Sequence, residues 1–319
     1  MRAAVVTAPG TDPIATDFPE PPSAPGREPL TLVGAGIHHV VRGLASGQHY
    51  SSGREYPIVP GVDAVARTDA GALVYTGFAR APWGTMAERM ITPFQLEVPA
   101  GADPLAVAAG MNPGLSGWMV LRRRTEEVAE LGTVLVLGAT GMSGSLAVQA
   151  ALTLGADRVL AAGRDREALE RLAALGAVPV SLDHDGPDAL RDALTDVVVE
   201  TPPSLVLDFV WGPVAGAAFD ALSAARANDD DPEVAYVQVG SLAGARAEVP
   251  ADLLRSRRIR ITGSGMGSFS REELLAAAPD VLARFGDGTL DAAYTAYPLV
   301  RIADAWAHRG RSRAVVVPD

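Results

Sequence analysis

The segment from Thr133 to Asp165, TVLVLGATGMSGSLAVQAALTLGADRVLAAGRD, restricts the possible folds more than any other part of the chain. Thr133–Leu137 is a β-branched, apolar run, as a buried parallel strand needs. Gly138, Gly141 and Gly144 follow, then a helical stretch, Ser145–Leu154, and a second apolar run, Arg158–Ala162. This order predicts a βαβ unit whose tight turn lies where a dinucleotide pyrophosphate sits. Gly141 lets the backbone approach the phosphates, and Gly144 lets the helix pack closely on its strand. The helix N-terminus adds free N–H groups and a partial positive charge.

The end of the second strand discriminates between dinucleotides. An acidic residue there hydrogen-bonds a ribose 2′-hydroxyl, whereas an Arg nearby accommodates a 2′-phosphate. The chain has Gly163 followed by Arg164, so NADP(H) is the expected cofactor. Asp165 argues the other way, toward a ribose 2′-hydroxyl, but it also fits as the N-cap of a helix over Arg166–Leu175 that Gly176 ends. The competing reading of Arg164 is a solvated loop residue.

Composition excludes several chemistries. At 319 residues there is room for about two domains. A net charge of −11 argues against a nucleic-acid partner, and Arg122–Arg124 reads as a solvated helix end. No run is long enough for a membrane span. Met1–Gly10 reads as a first strand rather than a signal peptide, so a cytoplasmic location is expected. With no cysteine there is no disulfide, thiol nucleophile or thiolate zinc site. With no lysine there is no Schiff-base chemistry, phosphate-loop lysine or Tyr-x-x-x-Lys pair. GLSGW and GMSGS both miss the G-x-S-x-G spacing of a serine hydrolase.

After Thr133 the chain alternates strand and helix. Expected strands are Ala177–Leu182, Ser204–Val210, Val234–Val239 and Arg258–Thr262, with helices at Pro187–Val197 and after Pro213. Together with the first unit they predict a six-stranded, doubly wound α/β (Rossmann) parallel sheet over residues 116–288. The ends of its last strands (Phe209–Gly212, Gly240–Leu242, Gly263–Gly267) are rich in small residues, as a ligand crevice requires. Residues 1–115 instead carry many prolines, short strands (Ala3–Thr7, Leu30–Gly36, Leu73–Gly77, Glu88–Ile91) and few convincing helices, the texture of a β-rich domain. The tail, 289–319, ends in a strand, Ala314–Val317, that returns to this first domain.

The order of segments resembles the medium-chain dehydrogenase/reductase superfamily, in its zinc-free quinone oxidoreductase-like branch. The matching pieces are MRAAVVTAPG, TLVGAGIHHVV, YPIVPGVDAVA, WGTMAERMITP, AAGMNPGLSGWMVL, VLVLGATGMSGSLAVQ and RAVVVPD. The resemblance implies a GroES-like substrate domain built from both chain ends, a Rossmann domain, a cleft between them, and a homodimer formed through the cofactor domains. The sequence departs from the pattern where a hairpin shortens to TDAGALVYTG and where His38 replaces the usual Asn. The lysine often found near the 2′-phosphate is missing, which leaves that task to Arg164.

Metal-free hydride transfer needs a hydrogen-bond or proton donor for the developing oxyanion. IHHVVRGLASGQHY offers His38, His39, His49 and Tyr50, and the resemblance points it toward the nicotinamide. Tyr50 and His38 are the first candidates, His39 the next; ordinary loop or core roles compete for each. Adjacent His38 and His39 point apart and lack an acidic or thiolate partner at ligand spacing, so no metal is expected. Asn112 could hold a substrate carbonyl or cap the following helix. Ser116 occupies the family's Thr/Ser position at the domain junction, and His184 a position often aromatic in the family, where it could stack near adenosine or be a loop residue. Trp118 and Trp211 read as packing residues. The expected cofactor set is Ser116, Thr140, Gly141, Met142, Ser143, Gly144, Gly163, Arg164, His184, Phe209, Val210, Val239, Gly240 and Ser241. The function expected is NADPH-dependent reduction of a conjugated enone or quinone, or of a carbonyl or imine. The alternative is an NADPH-binding sensor or structural protein without efficient turnover.

Overall fold

Strands β1 (Arg2–Val5) and β2 (Ile14–Asp17) form an antiparallel pair near the start of the chain. After β3 (Leu30–Gly36) comes a short helix, α1 (His39–Ala45), then β4 (Asp63–Arg67), β5 (Leu73–Gly77), β6 (Arg89–Met90) and β7 (Leu96–Glu97). The computed structural model describes residues 1–319 other than Tyr50, Ser51, Arg54, Asp185, 226–232 and Met266. Helix α2 (Pro104–Glu127) follows, a 24-residue element whose first half falls where few helices were expected. Its start is signalled locally: the Asp103 carboxylate accepts from the Leu105 and Ala106 amides, and Pro104 opens the first turn. Its body hides from pattern reading because Gly110, Pro113, Gly114 and Gly117 interrupt it and its apolar residues do not keep to one face.

From Thr133 the elements alternate as expected. They are β8 (Thr133–Leu137), α3 (Met142–Thr153), β9 (Arg158–Gly163), α4 (Arg166–Ala174), β10 (Val178–Ser181), α5 (Pro187–Glu200), β11 (Leu205–Asp208), α6 (Gly212–Ala224), β12 (Val234–Gln238), α7 (Leu253–Ser256), β13 (Ile259–Gly263) and α8 (Arg271–Gly286). The six strands are all parallel, in the order β10-β9-β8-β11-β12-β13. The order reverses between β8 and β11, which is the switch point where ligands bind in open α/β sheets. Leu135, Leu137, Val206 and Tyr236 anchor the core beneath. Trp211 packs edge-on against Phe219 and Tyr236, and Trp118 is buried, as packing residues.

The Arg122–Arg124 reading needs correction. Arg122 and Arg123 are exposed, but Arg124 is 5% exposed and donates to the Glu233 carbonyl at 2.9 Å. It also pairs with Glu127 at 3.3 Å. A buried guanidinium thus ties the end of α2 to the start of β12, which a sequence run of three arginines cannot reveal.

The chain ends in β14 (Tyr294–Pro298), α9 (Ile302–Ala307) and β15 (Arg313–Val317), and β15 pairs antiparallel with β3. This completes a seven-stranded sheet over a core that includes Leu30, Leu32, Ile37, Met86, Met90 and Val316. The chain divides into two units, one of Met1–Pro113 with Ala278–Asp319, the other of Gly114–Ala277. No helix among the described residues is long and apolar enough to cross a membrane.

Candidate active site

In the second unit the glycine turn has a specific packing cause. Gly138 takes φ 85°, and its amide and that of Ala139 both donate to the Ala162 carbonyl at 2.9 Å, binding the turn to β9. A Cβ on Gly144 would collide with the Gly138 carbonyl oxygen and stand 2.8 Å from Ala139 Cα, so only glycine lets α3 lie this close. Gly141 is the N-cap and supplies no side-chain acceptor, which leaves the first-turn amides of Met142, Ser143 and Gly144 for an anion. Thr140 is half-buried at the same turn.

β9 ends at Gly163, beside the turn. Arg164 is exposed and makes no hydrogen bond or ion pair among the described residues. Asp165 is committed elsewhere: it caps α4 by accepting from the Ala168 amide at 3.1 Å. His184, past β10, is exposed and bonded to the Ser181 carbonyl at 3.0 Å, so it closes its own loop.

The β11 end carries a residue that the sequence reading missed. Asp208 is fully buried; Oδ1 accepts from the Val210 and Trp211 amides, both at 2.8 Å, and Oδ2 from the Tyr236 hydroxyl at 2.6 Å. Burial raises its pKa against those three hydrogen bonds, and burial beside Asp208 raises Tyr236 well above a free phenol. The Asp208 backbone carbonyl accepts from Val239 at 2.7 Å and Gly240 at 3.1 Å. One residue thus shapes the chain through Phe209, Val210, Val239 and Gly240; Ser241 follows, exposed. The signal was available as an aspartate at the end of the apolar run LVLD.

In the first unit, His38 is the N-cap of α1 but makes no side-chain cap, and its ring turns inward instead. Its Nε2 lies 3.1 Å from Asp63 Oδ1, ion-pair distance without the alignment of a straight hydrogen bond. Asp63 Oδ2 accepts from the Tyr75 hydroxyl at 2.9 Å. Burial raises the Tyr75 pKa far above the ordinary value, and the adjacent Asp63 charge adds to it. All three side chains are buried, and His38 Nδ1 has no hydrogen-bond partner among the described residues. Gly36 makes room: a Cβ there would stand 2.6 Å from His38 Cε1. Asp63 and Tyr75 lie diagonally across neighbouring strands β4 and β5, where Asp63 pairs with Gly77 and Tyr75 with Val65, a juxtaposition that no local motif encodes.

The other candidates divide. His39 opens α1 at the surface and does not share the inward path of His38. His49 packs against Gly43, and burial lowers its pKa. Tyr50 lies outside the described residues. Asn112 belongs to the first unit and Ser116 to the second, both half-buried within α2. Asn112 therefore caps nothing: α2 runs through it without a break. Among the described residues no group of three or more histidine, cysteine, aspartate or glutamate side chains could hold a metal ion.

No protein-family model matches the chain. A probable NADPH-dependent quinone reductase from Emericella nidulans is 31% identical over 362 residues, covering all of both chains. Among solved structures, the quinone oxidoreductase of Thermus thermophilus, also described with NADPH, superimposes with TM-score 0.80 at 24% identity over 99% of this chain and 100% of the other. The quinone oxidoreductase of Pseudomonas syringae pv. tomato gives TM-score 0.81 at 20% identity over 99% of each. The glycine turn, the sheet order and full-length similarity therefore agree: this chain belongs to the medium-chain dehydrogenase/reductase superfamily, in its quinone oxidoreductase-like branch.

Proposed function

We propose that this protein is an NADPH-dependent, metal-independent oxidoreductase that reduces a conjugated enone or a quinone, or a carbonyl or imine. The observation that carries the reading is the end of β9. Gly163 puts no carboxylate there, Asp165 is occupied as a cap, and Arg164 stands exposed without an ion pair among the described residues. The turn fits the cofactor: Gly141 leaves its approach open, and the first-turn amides meet the pyrophosphate charge. When bound, NADPH supplies the hydride. Thr140, Gly141, Met142, Ser143, Gly144, Gly163 and Arg164 hold its phosphates and ribose, with Phe209, Val210, Val239, Gly240 and Ser241 along the strand ends. Ser116 and His184 complete the set.

The first unit supplies the proton. His38 Nδ1, the ring nitrogen not facing Asp63, holds a proton for the substrate's developing oxyanion. The Asp63 carboxylate beside Nε2 orients the ring, and the Tyr75 hydroxyl fixes the carboxylate. Tyr50 is a second donor, His39 a third, and Asn112 a holder of the substrate carbonyl. Homodimer formation through the second unit is part of the same reading, supported by β13, an edge strand able to pair with a second copy.

An NADPH-consumption screen over quinones, enones, aldehydes and cyclic imines, with and without chelator, tests this reading. Turnover insensitive to chelator is expected; tight NADPH binding with no turnover would make the protein a sensor or structural binder. Loss of a charge-assisted phosphate contact costs about 1.5–3 kcal/mol, so Arg164→Ala should weaken NADPH binding about ten-fold or more and leave NADH binding nearly unchanged. Fluorescence titration with both nucleotides checks it, and equal loss for the two would make Arg164 a loop support.

A further inference from the structure

Positive charge collects in the first unit with too few carboxylates to match it. Arg42, on α1, and Arg309, just after α9, both donate NH1 hydrogens to one oxygen, the Trp306 carbonyl, at 2.6 and 3.0 Å. Arg42 also lies over the Trp306 ring, 4.9 Å from its centroid. Arg313, at the start of β15, donates to the Ile37 carbonyl at 3.1 Å and keeps a buried Nε without a hydrogen-bond partner among the described residues. None of the three forms an ion pair among the described residues.

These cations act on one another. Burial, then the Arg42 charge, pushes Arg313 down to about 10, and only Asp63 opposes this. Arg42 is lowered by burial and by Arg309, with only Asp12 opposing. His39 reaches the surface, yet the protein around its ring and then Arg313, Arg42, His38 and Arg309 hold it below an ordinary histidine. Two carboxylates thus face the cluster, and Asp63 is already engaged with His38 and Tyr75. Beside Arg42 opens a cavity of about 270 Å³, lined also by Thr11, Asp12, Ser46, Gln48 and Trp306.

Three guanidiniums held together repel, and the repulsion grows as water is excluded. The chain carries 38 acidic residues, so carboxylates are not scarce, yet none among the described residues forms an ion pair here. A bound anion removes that repulsion, and the planar guanidinium fork suits both carboxylate and phosphate. We propose that His39, Arg42 and Arg309, together with Arg313, bind the carboxylate or phosphate group of a small-molecule ligand whose body occupies the cavity beside Arg42. The proposal stands independently of the hydride-transfer reading, because its test is binding.

Benzoate and inorganic phosphate are titrated separately into the full-length protein by calorimetry, with and without saturating NADPH. At least one should bind saturably in both conditions, more weakly at high salt, and raise the His39 pKa followed by NMR. Arg309 is exposed, so Arg309→Gln should fold normally and weaken that binding about ten-fold or more; Arg42→Gln should do the same. Binding of benzoate alone identifies a carboxylate ligand, and of phosphate alone a phosphate ligand. The proposal is overturned if neither probe binds, if NADPH displaces the bound probe, or if both variants bind as wild type does.

Discussion

Replacing His38 with alanine should lower kcat about 100-fold while leaving NADPH affinity intact, the size of effect typical for loss of a positioned proton donor. His38 is in the first unit and the glycine turn in the second, which is why the two readouts separate. Asp63→Asn is the sharper companion, because it keeps the shape and removes the charge 3.1 Å from Nε2. The ring then loses the carboxylate that orients it, so kcat should fall with little change in KM. A merely structural Asp63 would change stability without that split between kcat and KM. If both variants turn over as wild type does, the proton comes from elsewhere, and Tyr50→Phe is the next test. Carbonyl and imine substrates should respond more than enones, where solvent can protonate the α-carbon.

Gly144→Ala should be equally severe, through backbone packing rather than chemistry. Its new Cβ meets the Gly138 carbonyl and Ala139 Cα, neither of which can rotate away, so α3 must move off its strand. Overpacking of this kind costs about 1–3 kcal/mol and should widen the turn enough to weaken NADPH binding ten-fold or more. Gly141→Ala gives the contrast: its Cβ would have an ordinary 3.5 Å contact with the Gly138 oxygen, so the fold should keep its melting temperature and lose only nucleotide affinity. Thermal melts with NADPH titrations distinguish the two glycines. A Gly144→Ala protein with wild-type melting and binding would mean that the close helix–strand approach is not required.

The parallel sheet was legible because it is built from local repetition. β8 is buried along most of its length, and Asp165 and Gly176 mark the ends of α4 by short-range hydrogen bonding and backbone preference. The same holds for β3 and β5, whose boundaries match the expected runs. Helix α2 was not legible, because glycines and a proline break its pattern while much of its length is buried. Arg124 looked like any charged helix end until its guanidinium met the Glu233 carbonyl, 109 residues away.

The candidate site divides along the same line. The glycine turn and Arg164 could be singled out directly, since the turn and the strand end they occupy lie close in sequence. His38 could be named as a donor but not given partners. Asp63 and Tyr75 lie in separate strands, and only their pairing puts a carboxylate beside the imidazole and a hydroxyl behind the carboxylate. Arg42, Arg309 and Arg313 come from opposite ends of the chain and meet only when β15 returns to β3. By itself, the sequence determined the strands and helices of the parallel sheet and its glycine turn, because propensity and short-range geometry act within a few residues. Which polar groups share a buried environment was decided by tertiary structure alone, because charge and hydrogen bonding act through space, whatever the separation along the chain.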